Sequence, residues 1–290
     1  MKKCLALLIG SLLLMASPAS AYSNGSHDVG LGLETIVQHS FKSGIKGSDT
    51  EVSRSRYGVQ ASYSIFTLGY DYSHFSWDDA GDAGFTPGDG TPWDGLHNFF
   101  LSAEAVFPLA EKWLLYSRAG VNSSFEKEIS GSFGIGGAAI LFREFRNNWF
   151  AGLGLVGGYH PVRSLFIPAA GLLYGFPGDV GWTARIGIPT TEVRYGFSES
   201  FALQAGLGYS SRMYRLKNNS PVADKGYFRE RNFSVGMQVE WSPMEKMALK
   251  LGPYYKLGRK WQVYDRHKSR IISKDVKSTP VVEARLSWRF

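Results

Sequence analysis

Three sets of residues in this sequence have types and spacings that could do chemistry. Gly152-x-Gly154-x-x-Gly157 spells the glycine pattern that lets a backbone approach a pyrophosphate. That pattern works where a strand turns into a helix whose N-terminus meets the phosphates. His74 and Ser76 could serve as base and nucleophile, which requires hydrogen-bond reach and a third group to orient the base. Residues two apart on a strand share a face with backbones about 6.5 Å apart, so contact is feasible and not assured. The third set is charged: Arg54, Arg56, Arg118, Arg185, Arg194, Arg212, Lys250, Lys256, Arg285 and Arg289 against Glu34, Asp71, Glu104, Glu192, Glu240 and Glu283. Metal ligands are less in evidence. The six histidines (His27, His39, His74, His97, His160, His267) show no helical pair or recurrent spacing suited to zinc.

What these residues can do depends on the elements that carry them, and the dominant pattern has period two. Across residues 54–65, Tyr57, Val59, Ala61, Tyr63 and Ile65 alternate with Arg54, Arg56, Gly58, Gln60, Ser62 and Ser64. Across 201–213, Phe201, Leu203, Ala205, Leu207, Tyr209 and Met213 alternate with Gln204, Gly206, Gly208, Ser210 and Arg212. Phe233, Val235, Met237, Val239 and Trp241 do the same against Ser234, Gly236, Gln238 and Glu240. Successive strand side chains point to opposite faces, so each segment has one apolar and one polar face. The glycine triplet falls inside such a segment (Trp149, Ala151, Leu153, Leu155) with no helix after it. It therefore reads as glycines packed near a barrel interior, and no cofactor is expected.

A soluble β-sandwich alternates too, but three features favour a membrane barrel. Many segments run about 9–13 residues, near the length of a tilted membrane-crossing strand, whereas soluble strands average nearer 5–6. Aromatics sit at segment ends on the apolar face, as at Tyr57, Phe107, Trp113, Trp149, Tyr159, Phe201, Tyr209, Trp241 and Phe290, the placement of interfacial girdles. Short turns (64–66, 108–112, 143–148, 176–180, 197–200, 242–246) alternate with longer polar loops (42–53, 76–95, 214–229, 259–278) and short ones near 126–130 and 160–164. The expected fold is all-β: a closed antiparallel transmembrane β-barrel of fourteen strands. Pro168, Pro177 and Pro189 interrupt residues 165–195, and proline removes a ladder donor, so a single bent pair there would leave twelve. An even total keeps both chain ends on the periplasmic side.

The ends set the compartment. Lys2 and Lys3, an apolar run at 5–15 and Ala19-Ser20-Ala21 form a secretory signal, so residues 1–21 are expected to be removed and 22–290 to form one barrel domain. The apolar run is too short for a membrane helix. Cys4 precedes that run rather than following it as a lipid-bearing cysteine would, and the remaining chain has no cysteine for a disulfide or thiolate metal site. A mean hydropathy of −0.15 suits a barrel in which half of each strand faces a polar lumen. Net charge falls from +7 to +5 once Lys2 and Lys3 leave, and no basic-aromatic groove suggests nucleic acid.

Projecting the alternation inward places the charged set on the lumen wall. An excess of cations there would bias a pore toward anions. Alternatively, the charges pair across a narrow barrel and fill it. The loops carry opposite signs: 76–95 holds Asp78, Asp79, Asp82, Asp89 and Asp94, while 259–278 holds Arg259, Lys260, Arg266, Lys268, Arg270, Lys274 and Lys277 against Asp265 and Asp275. The basic loop could meet lipopolysaccharide phosphates or fold against the acidic one as a lid. Paired acids could hold calcium, though no EF-hand spacing is present.

At the carboxy-terminus Val282, Ala284, Leu286, Trp288 and Phe290 alternate with Glu283, Arg285, Ser287 and Arg289. This resembles the carboxy-terminal signature of bacterial outer-membrane barrels, which implies recognition by the barrel-assembly machinery and an outer-membrane location. The last strand must also close against the first, since hydrocarbon tolerates no open edge. Gly175-Phe176-Pro177 with 187–195 (Gly-Ile-Pro-Thr-Thr-Glu-Val-Arg-Tyr) is similar to a functionally uncharacterised family of outer-membrane barrels, a likeness that supplies no activity. The His74/Ser76 pair on the lipid-facing side is similar to outer-membrane phospholipase, whose pair is oriented by an asparagine on the next strand. Here Asn98 has inward parity and the flanking residues of that motif are absent.

The leading expectation is a small passive channel or binding barrel for polar solutes, anionic ones if the inward cations stay unpaired. The alternative is a non-conducting structural barrel whose loops meet envelope partners, with a lipid hydrolase a distant third. The lumen's continuity, or its plugging by charge pairs and inward-folded loops, separates the first two.

Overall fold

The computed structural model describes residues 30–86, 90–146, 148–176 and 179–290. The expected leader with Cys4, together with His27, Asp89 and Pro177, lies outside the described residues.

Strands occupy β1 (Leu31–Gly44), β2 (Glu51–Tyr63), β3 (Phe66–Asp78), β4 (Gly95–Ala110), β5 (Trp113–Phe125), β6 (Phe133–Arg146), β7 (Trp149–His160), β8 (Arg163–Tyr174), β9 (Gly181–Gly187), β10 (Thr190–Gly196), β11 (Phe201–Arg215), β12 (Tyr227–Met244), β13 (Met247–Tyr264), β14 (Arg270–Val276) and β15 (Thr279–Arg289). Each of β1 to β12 pairs antiparallel with the next, and β12 pairs with β13. β13 then pairs with β14 along its far half and β15 along its near half. β15 returns to β1, from Gly32 opposite Arg289 to Ser40 opposite Val281, and the ring closes. β14 and β15 are two segments of one final stave interrupted at Lys277 and Ser278, so the barrel has fourteen staves and not twelve. The prolines are accommodated without losing a strand. Pro168 lies where β8 is paired on the β7 side alone, and Pro189 sits in the tight β9–β10 connection.

All six short turns lie at one end, with both described chain termini; the Phe290 amide donates to the Leu31 carbonyl there. The longer connections gather at the other end. Around the wall between them, outward side chains form an apolar belt that includes Tyr57, Val59, Leu68, Leu101, Leu153, Leu155, Phe166, Val235, Met237 and Leu286, each exposed. Soluble proteins rarely expose contiguous apolar patches beyond a few hundred Å². A closed sheet with an apolar exterior and polar interior is instead the arrangement that satisfies every backbone group in hydrocarbon. This chain is a transmembrane β-barrel.

The strands run further than the alternation predicts. The basic segment 259–278 is mostly the β13–β14 hairpin, with only residues 265–269 as its tip. Beyond the membrane both faces of a strand can carry charge, so the period-two pattern fades although the ladder continues. Two bulges also reverse the inward parity there. The β1–β2 register shifts between Ser40 and Ser43, and the β12–β13 register shifts between Arg231 and Phe233, beside Gly258 with φ 55°. Before Gly258 the even positions of β13, Lys250 and Lys256 among them, face inward. After it Arg259, Trp261 and Val263 do.

Candidate functional site

The lumen is wide at the turn end. A cavity of about 1590 Å³ opens there, reaching from Lys112, Glu199 and Lys246 at the mouth inward to Gln204, Gln238 and Tyr254. Along its deeper wall five cations and four acids are in contact: Arg285 with Glu34 at 3.2 Å, Arg118 with Glu104 at 3.5 Å, Arg185 with Glu192 at 3.9 Å, and Arg194 and Lys250 with Glu240 at 3.2 and 3.4 Å, Arg118 bordering the cavity through its partner. Neighbour relations explain most of these pairs. Glu104 stands opposite Arg118 across β4–β5, and Arg185 opposite Glu192 across β9–β10. Arg285 also holds Glu283 at 3.1 Å, and Gln38 and Gln238 donate to the same carboxylate.

Further along, the lumen narrows to a layer of cross-barrel contacts. Arg56 of β2 and Arg212 of β11 grip opposite oxygens of Asp71 at 2.8 and 3.3 Å, and Asn98 donates to Asp71 at 3.1 Å. Arg54 bonds Glu230 of β12 across the barrel, donates to Ser73 at 2.7 Å, and lies over the Phe75 ring at 5.2 Å. Lys256 donates to Gln38 and Ser40, and Arg259 to Ser43 and the Lys277 carbonyl. Arg54, Arg56, Arg212, Lys256 and Arg259 thus share this layer with the carboxylates of Asp71 and Glu230. The excess of inward cations is concentrated here and not in the wide cavity.

Past this layer the barrel is filled. Residues 79–86 and 90–94 fold into the loop-end mouth, the former through a short 3-10 turn, Ala80–Ala83, and insert Phe85 and Trp93 among Phe75, Trp77, Phe228 and Trp261. The Trp93 ring lies tilted against Phe228 and Trp261, with centroids 4.1 and 5.8 Å away, and the Trp93 carbonyl accepts from Trp77 at 2.8 Å. Trp93 is 1 % exposed and Trp261 is 0 % exposed. Lys274 of the basic hairpin lies beside Gly84, so the acidic segment is the lid and the basic hairpin borders it.

Of the sixteen charged positions projected onto the lumen wall, the fifteen other than Arg289 make polar contacts inside the barrel. Glu230, Arg259 and the aromatic plug are the residues the alternation missed. Glu230 borders a predicted loop, and Trp261 follows a glycine bulge; an isolated glycine in an alternating run is the available signal for such a switch. The other chemistry-bearing residues are not brought together. His74 and Ser76 are exposed on the outer face with no hydrogen bond between them, while Asn98 turns inward, donating to Asp71 and accepting from Ser124. His97 bonds Tyr70 at 2.8 Å, and no metal-holding cluster occurs among the described residues. Gly152, Gly154 and Gly157 lie in β7. A side chain on Gly154 would overlap the Ala139 carbonyl, and Gly157, whose parity is outward, is covered by the Phe166 ring. Val282, Ala284, Leu286, Trp288 and Phe290 all face outward along the closing seam with β1.

Residues 64–289 match a family model described as Domain of unknown function (DUF6268). No curated protein matches the chain. Among solved structures it is similar to the COG4313 outer membrane channel from Pseudomonas putida F1, at 9 % identity and TM-score 0.49 over 95 % of this chain and 100 % of that one. It is similar to the KdgM porin at 9 % identity and TM-score 0.35, covering 89 % and 99 %. It is also similar to the NanC porin at 12 % identity and TM-score 0.39, covering 88 % and 100 %.

Proposed function

The chain belongs to the DUF6268 family, and from its lumen we propose that it is an outer-membrane barrel acting as a gated passive channel or binding barrel for small polar solutes. The turn end faces the periplasm in this reading, because chain ends and short turns lie on that side of such barrels. The observation that carries the proposal is the 1590 Å³ cavity open at that end, lined by paired charges that a polar solute can exchange for its own contacts. Preference for anions is set in the constriction, where Arg54, Arg56, Arg212, Lys256 and Arg259 outnumber Asp71 and Glu230. Passage to the outside requires Phe85 and Trp93, with the segments that carry them, to leave the mouth.

The buried plug favours a second reading, a non-conducting structural barrel, and one experiment separates the two. In a planar bilayer the purified protein should pass little current. Replacing residues 80–93 with a short Gly/Ser linker should raise conductance at least tenfold, with the reversal potential displaced toward anions. A well-folded linker variant that remains silent would leave the structural barrel as the function.

A further inference from the structure

The barrel wall is incomplete on one side. β9 and β10 reach only the Ile188-Pro189 turn, about half the length of their neighbours. β8 pairs with β9 from Gly171 to Tyr174, so its residues 163–170 have no strand on that side. β11 pairs with β10 up to Gly208, and the Tyr209 amide donates to the Pro189 carbonyl at 2.8 Å. Beyond that, β11 reaches across to β5, with Arg215 opposite Phe125 in a lone parallel pair. The loop end is thus a smaller ring that closes through β5 and β11, and β6 to β8 stand outside it. The outward side chains of Ser211 and Arg229 are consequently buried at 2 % exposure each.

Between that ring and β6–β8 lies a second cavity of about 100 Å³, bordered by Gly158, His160, Arg163, Ser211 and Arg229. Its polar groups are poised to donate. Arg229 uses Nε on Ser211 at 2.9 Å, while one terminal nitrogen is buried without a hydrogen-bond partner. His160 accepts the Val162 amide at Nδ1, which leaves the proton on Nε2, also buried and unpartnered. The Tyr209 hydroxyl on the same seam is a third such group. Asp71, the carboxylate at this cavity, is already held by Arg56, Arg212 and Asn98. Buried donors without partners are costly, and those beside a guanidinium call for an anion. Directly below, the inner wall changes character: Leu165, Ile167 and Ala169 of β8 pack with Ala138, Val156 and Tyr116 in an apolar strip inside an otherwise polar lumen. Outside, Phe166 and Ile188 stand 80 % and 71 % exposed beside the seam.

We propose that the seam between β8 and β11 is a lateral portal to the lipid phase, and that it admits a single-chain amphiphile with an anionic head. The head, a carboxylate or a phosphate, takes the donors of Arg229 and His160. The hydrocarbon chain lies along Leu165, Ile167 and Ala169. The portal is independent of the axial route and stands whether or not the lumen conducts.

The test is calorimetric titration of the full barrel, held in amphipol, with octyl phosphate, octanoate, octyl glucoside and inorganic phosphate. Octyl phosphate or octanoate should bind at least tenfold more tightly than octyl glucoside and inorganic phosphate, and the tighter of the two identifies the head group. Arg229→Gln should weaken that binding at least tenfold, and Arg229→Lys should restore part of it. Ile167→Gln, which leaves every cation in place, should also weaken it and provides the decision if Arg229→Gln does not fold. Equal binding of inorganic phosphate, no binding of either amphiphile, or folded variants that bind as the parent does would each overturn the proposal.

Discussion

At the turn end, five cations are paired with five acids around a space of about 1590 Å³; at the loop end, five cations and two carboxylates are pressed against a packed aromatic plug. The same staves build both. What differs is what crosses the barrel. Near the turns, most ion pairs join neighbouring strands and leave the centre empty. Near the loops, Arg54–Glu230 and Arg212–Asp71 span the lumen, and a loop supplies the rings that fill what remains. Charge by itself therefore opens or closes nothing; its consequence depends on whether partners lie along the wall or across it.

Removing one partner should separate the halves most sharply. Arg54→Gln leaves Glu230 buried without its guanidinium, which should cost about 3–5 kcal/mol in denaturant unfolding. Lys250→Gln leaves Glu240 with Arg194 in a wet cavity and should cost below about 1 kcal/mol. Equal losses would show that the two halves are packed alike. A smaller effect is expected in selectivity. In the linker variant that opens the mouth, charge reversal at Arg56 or at Arg212, in the narrow layer, should move the reversal potential toward cations. Reversal at Arg185, in the wide cavity, should move it less; the opposite order would place the selective layer at the turn end. The smallest effect belongs outside the barrel. His74→Ala and Ser76→Ala should leave any lipid hydrolysis by the purified protein unchanged, and its loss in both variants would assign them a catalytic role.

Much of this architecture is legible along the chain because a membrane barrel repeats one rule. Tyr57, Val59 and Tyr63 face out and Arg56, Gln60 and Ser62 face in, as period two requires, and the six turns lie where polarity and proline mark them. The count of staves was open between fourteen and twelve because prolines mimic a strand break. Pro168 in fact sits on a one-sided edge, where a missing donor is least harmful. The plug was not legible. Trp93 and Phe85 lie in an aspartate-rich segment that reads as a solvated loop, and Trp261 changes face at the Gly258 bulge.

Sequence by itself determined where the membrane-crossing parts of the strands lie, which face of those parts meets lipid, and that the lumen carries more positive than negative charge, because all three follow from the alternation of neighbours along one chain. Only the tertiary structure decided that the loop end is plugged, that the cation excess is gathered in one layer, and that β9 and β10 stop short beside β8. Those features depend on contacts across the barrel, between residues such as Arg54 and Glu230 that lie far apart in sequence, and on bulges whose single extra residue reverses every side chain after it.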